Sequence, residues 1–189
     1  MTEAPTPYVL DADTMTGGMR PIRQAVLAIG SNLGDRIGKL QGGVSALEDT
    51  PEVTVVAISS VYETEAVDAP EGSGTFLNAV VLIDTTLTVH TLLDRALAIE
   101  DAFERERSEV RNAPRTLDVD LIVVGDRRAD DADLVLPHPR AAERAFVLVP
   151  WLDVEPDAEI PGVGIVAELV EKTGRDGVKL REDIELEFS

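Results

Sequence analysis

Ala25-Val26-Leu27-Ala28-Ile29 is an unbroken apolar run that stops at Gly30, the pattern of a buried strand followed by a turn. From Asp35 the period lengthens. Ile37, Leu40, Val44 and Leu47 recur at helical spacing, although Gly42 and Gly43 each cost a helix about 1 kcal/mol relative to alanine. Val53 to Tyr62 is β-branched and reads as a strand. Glu65 to Thr75, with Pro70, Gly72 and Gly74, reads as a loop, and Phe76 to Ile83 as another strand. Thr88 to Glu104 is helical, its inner face formed by Val89, Leu92, Leu93, Ala96, Leu97 and Phe103. Glu100 falls on that same face, where a carboxylate must be paired or lie at the edge of a cleft.

A strand through Asp118 and Asp120 follows, then a polar loop from Asp126 to Asp133 and a short strand before Pro137. Ile165 to Lys172 reads as a final helix and Glu182 to Glu187 as an acidic tail or edge strand. Strand–helix–strand–strand–helix–strand order predicts an α+β fold, a ferredoxin-like sandwich whose mostly antiparallel sheet has helices packed on it. Residues 1–24 lack sustained periodicity and read as a flexible N-terminal tail, with Met19 an alternative start; residues 25–189 read as a single domain.

Composition narrows the classes. A chain of 189 residues is long enough to bury about 70% of its unfolded surface. No apolar run approaches the ~20 residues of a membrane span, and no secretory signal is visible at the N-terminus. The absence of cysteine excludes disulfides and thiolate chemistry, so a cytoplasmic setting is expected. A formal charge of −19 argues against nucleic-acid binding. Eight of the 17 Lys and Arg residues nevertheless lie between Arg105 and Arg144, enough to reverse the field locally.

That basic stretch surrounds the candidate chemistry. In a strand, Asp118 and Asp120 point the same way, about 6–7 Å apart at Cα, close enough to share one or two cations. A bare Asp-x-Asp is usually just a solvated strand start, and the arginines nearby read alternatively as surface charges paired with Glu104, Glu106 and Glu109, for Arg111 as readily as not. Acidic residues beside Arg105, Arg107, Arg111 and Arg115 are also the arrangement expected for metal-bound polyphosphate. Guanidinium forks match phosphate oxygens, and Mg²⁺ is held by one or two carboxylates plus substrate phosphates.

Ala28-Ile29-Gly30-Ser31-Asn32-Leu33-Gly34-Asp35, Ser59-Ser60-Val61-Tyr62-Glu63-Thr64, Phe76-Leu77-Asn78-Ala79-Val80, Pro114 to Asp120, and Leu136-Pro137-His138-Pro139-Arg140 followed by Arg144-Ala145-Phe146 occur in order over roughly Ala25 to Pro161. In these stretches the chain resembles the 6-hydroxymethyl-7,8-dihydropterin pyrophosphokinases of folate biosynthesis. The resemblance implies transfer of pyrophosphate from ATP to the hydroxymethyl group of 6-hydroxymethyl-7,8-dihydropterin, releasing AMP. It implies Asp118 and Asp120 as ligands of two Mg²⁺ ions, and Arg105 and Arg115 as catalytic, stabilising transferred charge. It further implies Glu100, Arg107, His138 and Arg144 at the ATP, and Thr64, Val67, Phe76, Asn78 and Phe146 at the pterin. Asn78 would read the heterocycle edge, and Phe76 and Phe146 would sandwich the ring. Aromatics make up only 4% of the chain, so two at the family's stacking positions favour that role over simple core packing. Gly30-Ser31-Asn32-Leu33 lacks the phosphate-loop pattern and is expected to be structural.

The chain departs from the family pattern at Asn112, where a tryptophan is usual, at Ala113 for glycine, at Glu65-Ala66 for a proline-containing turn, and at Asp133 where some relatives have arginine. These changes bear on loop closure and spare both carboxylates. The rival readings are a non-catalytic pterin- or nucleotide-binding relative and another metal-dependent nucleotidyltransferase, which would release pyrophosphate. A monomer acting on small molecules, without membrane or nucleic acid, is expected.

Overall fold

The computed structural model describes residues 20–65, 74–105 and 117–189, the side chains of Glu104 and Arg105 excepted. In chain order the main elements are strand β1 (Arg23–Ser31), helix α1 (Arg36–Glu48), β2 (Val53–Ile58), β3 (Tyr62–Thr64), β4 (Phe76–Thr85), α2 (Val89–Arg105) and β5 (Asp118–Val124). A small hairpin, β6 (Ala129–Asp130) and β7 (Val135–Leu136), leads through the 3-10 turn Ala141–Glu143 into α3 (Ala145–Val154). The hairpin β8 (Glu159–Ile160) and β9 (Gly164–Ile165), α4 (Val166–Thr173) and β10 (Val178–Leu180) complete the chain.

Six strands form one sheet in the order β10-β3-β4-β1-β5, with β2 beside β3 against β4, and every pairing is antiparallel. β1 and β2, joined through α1, flank β4; β4 and β5, joined through α2, flank β1. This interleaving is the split βαβ arrangement of the expected ferredoxin-like sandwich.

Period-two alternation divides the sheet residues between two cores. Ala25, Leu27, Ile29, Ala79, Val81, Ile83, Val119 and Leu121 face α1 and α2. Val26, Tyr62, Val80, Leu82 and Ile122 face α3 and α4. The first face is covered along its length. Phe103 of α2 packs where a side chain at Gly42 would stand, 2.5 Å from its ring, so the glycine that weakens α1 permits the helices to meet. The second face is covered over only part of its length, and its remaining part opens into a cleft.

Several expectations change in the structure. β1 continues through Gly30 to Ser31, because β4 and β5 supply ladder partners on both sides. Val53 to Tyr62 is two strands, separated at Ser59–Val61. Leu97 is exposed and Ile99 buried, since the inner stripe of α2 runs Leu92, Ala96, Ile99. Ile37, one turn before Leu40, is likewise exposed. The C-terminal edge strand is Val178–Leu180, ahead of Glu182. Beyond it, Ile184 and Leu186 enter the first core, and Gln41 exchanges two hydrogen bonds with the Glu187 backbone, at 2.8 and 2.9 Å. Helix α3 was not anticipated. Its Val147, Leu148, Val149 and Trp151 are all buried, so it shows no helical period, and Pro150 lies inside it.

Candidate active site

The sheet register assembles the site. Residues directly opposite each other on neighbouring antiparallel strands share a face. One row therefore crosses the sheet as Leu180, Tyr62, Asn78, Gly30 and Asp118. Of the two rows flanking it, one carries Val178, Thr64 and Phe76, and the other, on the opposite side, Ala28 and Asp120. The cleft above them, about 840 Å³, is lined by these strand residues, Tyr62 and Leu180 excepted, and by His138, Arg140, Glu143, Arg144, Ala145 and Phe146. That volume lies within the range of small-molecule sites.

At one end, Asn78 is buried and donates its Nδ2–H to Thr64 Oγ at 2.8 Å. A methyl group on Gly30 would lie 2.9 Å from Asn78 Oδ1 and 3.8 Å from the Phe76 ring. Gly30 thus gives Asn78 and Phe76 the room they occupy. A glycine within a strand is a signal of such close approach, and the sequence reading of Gly30 as merely structural passed over it. Phe76 and Phe146 are both half-buried and both line the cleft.

Asp118 and Asp120 occupy the other end, on β5. Val119 between them points into the opposite core, and its backbone N–H donates to Glu100 Oε1 at 2.7 Å. This bond gives the buried carboxylate of α2 a partner and holds the strand segment that carries both aspartates. The described geometry thus sets Glu100 against the back of β5, with no part in the cleft lining.

His138 follows β7, and its backbone N–H donates to Ile122 O on the outer edge of β5 at 2.8 Å. Its Nδ1 accepts the Arg140 backbone N–H at 3.2 Å, which assigns the proton of the neutral ring to Nε2. Burial lowers the His138 pKa, Asp120 opposes that shift, and Arg144 and Arg140 reinforce it. The neutral form therefore dominates at pH 7. Arg144 stands at the N-cap of α3 with its guanidinium 5.6 Å from the centroid of the Phe146 ring, within cation–π range. The first N–H groups of α3 have no partners within the helix and add positive potential at the cleft wall.

Thr64, Phe76, Asn78, Asp118, Asp120, His138, Arg144 and Phe146 are thereby brought to one cleft. Val67, Arg107, Arg115, Ala66, Asn112 and Ala113 lie outside the described residues, as does the side chain of Arg105. Asp133 is exposed in the β6–β7 turn, where its N–H donates to Asp131. The sequence reading counted Arg140 in the basic cluster without giving it a site role, and missed Glu143 and the Asp176-Gly177-Val178 corner of the lining. Arg140 stood in a quoted motif; Asp176-Gly177 is a turn signal whose position against β3 no local pattern reveals.

Two hard oxygen donors two residues apart on one face fit a divalent cation of the Mg²⁺ type, which leaves several of its ligands to substrate and water. Among the described residues no cluster of three or more His, Asp and Glu completes an all-protein metal cage. No helix of the described residues is long and apolar enough to cross a membrane.

A family model described as 7,8-dihydro-6-hydroxymethylpterin-pyrophosphokinase matches residues 26–156. The chain is 42% identical over 156 residues to the 2-amino-4-hydroxy-6-hydroxymethyldihydropteridine pyrophosphokinase of Methylorubrum extorquens, covering 82% of this chain and 97% of that one. It is 41% identical over 130 residues to the protein of the same name from Bacillus subtilis, covering 69% and 77%. It is also 39% identical over 174 residues to that from Mycobacterium tuberculosis, covering 83% and 89%. Among solved structures, the fold is similar to wild-type Plasmodium falciparum HPPK-DHPS with pterin and p-hydroxybenzoate, at a TM-score of 0.64 and 14% identity. That match covers 85% of this chain and 44% of the longer one.

Proposed function

The chain belongs to the 7,8-dihydro-6-hydroxymethylpterin-pyrophosphokinase family, and from that membership we propose how its cleft carries out the family's reaction. The protein transfers pyrophosphate from ATP to 6-hydroxymethyl-7,8-dihydropterin in folate biosynthesis. The hydroxymethyl oxygen attacks the β-phosphorus; the O–P bond forms as the bond from the β-phosphorus to the α,β-bridging oxygen breaks. AMP leaves with that oxygen and the hydroxyl proton passes to solvent.

The observation that carries the site assignment is the shared face of Asn78, Gly30 and Asp118 on three adjacent strands. With neighbouring strands about 4.8 Å apart, the Asn78 and Asp118 positions are roughly 10 Å apart across Gly30. This is the span needed to put a pterin on one side and a polyphosphate on the other. Asn78 and Thr64 orient the heterocycle edge, and Phe76 and Phe146 hold its faces. Arg144, the Nε2–H of His138 and the N-terminus of α3 meet phosphate oxygens, while Arg105, Arg107 and Arg115 bring further guanidinium charge and Val67 a backbone contact to the pterin. Asp118 and Asp120 would hold two Mg²⁺ ions, which offset phosphate charge when bound. Glu100 serves the nucleotide end through the strand it fixes. Such a transfer depends mainly on alignment and charge stabilisation, so no strong general base is needed.

The working unit in this reading is a monomer, and the −19 charge supports small-molecule over nucleic-acid substrates. Residues 25–189 then act as one pyrophosphokinase domain. Incubation with Mg²⁺, ATP and 6-hydroxymethyl-7,8-dihydropterin tests the reading: AMP and a diphosphorylated pterin should form together, and Asp118→Asn should abolish both. Release of free pyrophosphate with a nucleotidylated product would instead identify a nucleotidyltransferase, and neither product a non-catalytic relative.

A further inference from the structure

Arg36 is the first residue of α1, where Asp35 caps the helix through the Gly38 N–H at 3.0 Å. A cation in the first turn opposes the helix dipole, so helix formation does not account for an arginine there. Its side chain, about a quarter exposed, crosses to the strands behind the cleft. Nη1 donates to Thr75 O at 3.0 Å and to Thr75 Oγ1 at 2.7 Å, and lies 3.4 Å from Glu63 Oε2. The same Glu63 oxygen receives Arg181 Nη1 at 2.6 Å. Arg181 is oriented in turn by Asp183, which accepts from Nε and Nη2 at 2.8 Å each, and its backbone N–H donates to Val61 O at 2.8 Å.

These contacts fall one residue from the cleft on both strands. Glu63 precedes Thr64 and Thr75 precedes Phe76, and alternation turns Glu63 away from the cleft. Thr64 and Phe76 are themselves paired across β3 and β4, and Val178 of β10 lies opposite Thr64. We propose that Arg36, acting with Glu63 and Arg181, is a positioning residue for the pterin: it holds Thr64 and Phe76 in register from behind the sheet without touching substrate. The inference rests on the pterin assignment above. All three contacts are made by Nη1, at the tip of the guanidinium; a lysine ammonium ends about one bond short of that reach and is more strongly hydrated.

The test is a split between substrates. Loss of a charge-assisted hydrogen bond costs about 1.5–3 kcal/mol, so Arg36→Ala should raise the KM for 6-hydroxymethyl-7,8-dihydropterin by about tenfold or more. The KM for ATP should stay within about twofold, because Asp118, His138 and Arg144 depend on other elements. Thr75→Val keeps the side-chain shape and removes only the hydroxyl acceptor; it should move the pterin KM about threefold in the same direction. Arg36→Lys should recover less than half of the loss. A merely structural Arg36 would raise both KM values together as the melting temperature fell, and that result, or no change in either variant, overturns the proposal. If Arg36→Ala does not fold, Thr75→Val decides alone. Calorimetric titration of the pterin in the absence of ATP separates the two claims. A wild-type chain that binds pterin without turnover, and loses that binding in Arg36→Ala, sustains the positioning role while defeating the catalytic reading.

Discussion

The end of the cleft proposed for the pterin and the end proposed for the phosphates are built differently. At the pterin end, Thr64, Phe76, Asn78 and Gly30 lie on three paired strands. Asn78 is already bonded to Thr64, and Arg36 and Arg181 converge on Glu63 behind them. That surface is pre-organised by backbone pairing and direct side-chain bonds. At the phosphate end, Asp118 and Asp120 face His138 and Arg144, whose supports come from turns and from the start of α3. Here the fold concentrates charges of both signs, whose mutual balance bound metal and polyphosphate would shift. Rigid hydrogen-bonding geometry suits recognition of a flat neutral ring; convergent charge suits the stabilisation of a moving phosphoryl group. Substitutions at the two ends should accordingly separate KM for the pterin from kcat.

The largest effect belongs to the carboxylates. Asp118→Asn or Asp120→Asn should lower kcat by about a thousandfold or more, while calorimetric pterin binding without nucleotide stays within about threefold. Equal loss of both would break the division between the ends. Arg144→Ala removes a cation proposed to meet phosphate and the cation–π partner of Phe146; kcat/KM for ATP should fall about a hundredfold, with Arg144→Lys recovering only part.

At the opposite end, Asn78→Ala leaves Thr64 without its bond and should raise the pterin KM by about 10- to 100-fold, with kcat changed far less. Gly30→Ala puts a methyl group 2.9 Å from Asn78 Oδ1; the shifted amide should cost about three- to tenfold in pterin KM and leave the ATP KM unchanged. An equal rise for ATP would mean that Gly30 serves both ends. The smallest effect is in acid. Arg181 holds the Asp183 carboxyl at about 2, below its usual 3.8. A carboxyl with a lowered folded pKa contributes stability above its unfolded value, and that contribution is lost as pH falls toward the folded one. Wild-type stability should therefore decline between about pH 4 and 2 slightly more steeply than that of Asp183→Asn, as chemical denaturation over that range would record.

Much of this was legible in the sequence because it is carried by local period and composition. Apolar runs, strand alternation and helical spacing mark β1, α1, β4, α2 and β5, and the order of those elements limits the sheet to few arrangements. Asp118 and Asp120 share a face because strand geometry alone requires it. The family resemblance pointed to Thr64, Phe76, Asn78, His138, Arg144 and Phe146, which the structure brings to the same cleft. Helix α3 stayed hidden because a helix buried on every side has no polar stripe, and Pro150 argues locally against it. Leu97 was misassigned because the two apolar stripes of α2 differ by one position, and only packing against β5 and α1 selects between them.

The sequence by itself determined the α+β class, the paired carboxylates, the basic stretch around them and the family, since each depends on residues near one another along the chain or on motif identity. Tertiary structure alone decided that Gly30 stands between Asn78 and Asp118, that Glu100 bonds the strand carrying the aspartates, and that Arg36 and Arg181 meet at Glu63. Those relations join residues distant in the chain. They follow from antiparallel register and helix placement, which are fixed when the whole sheet closes and leave no local mark in the sequence.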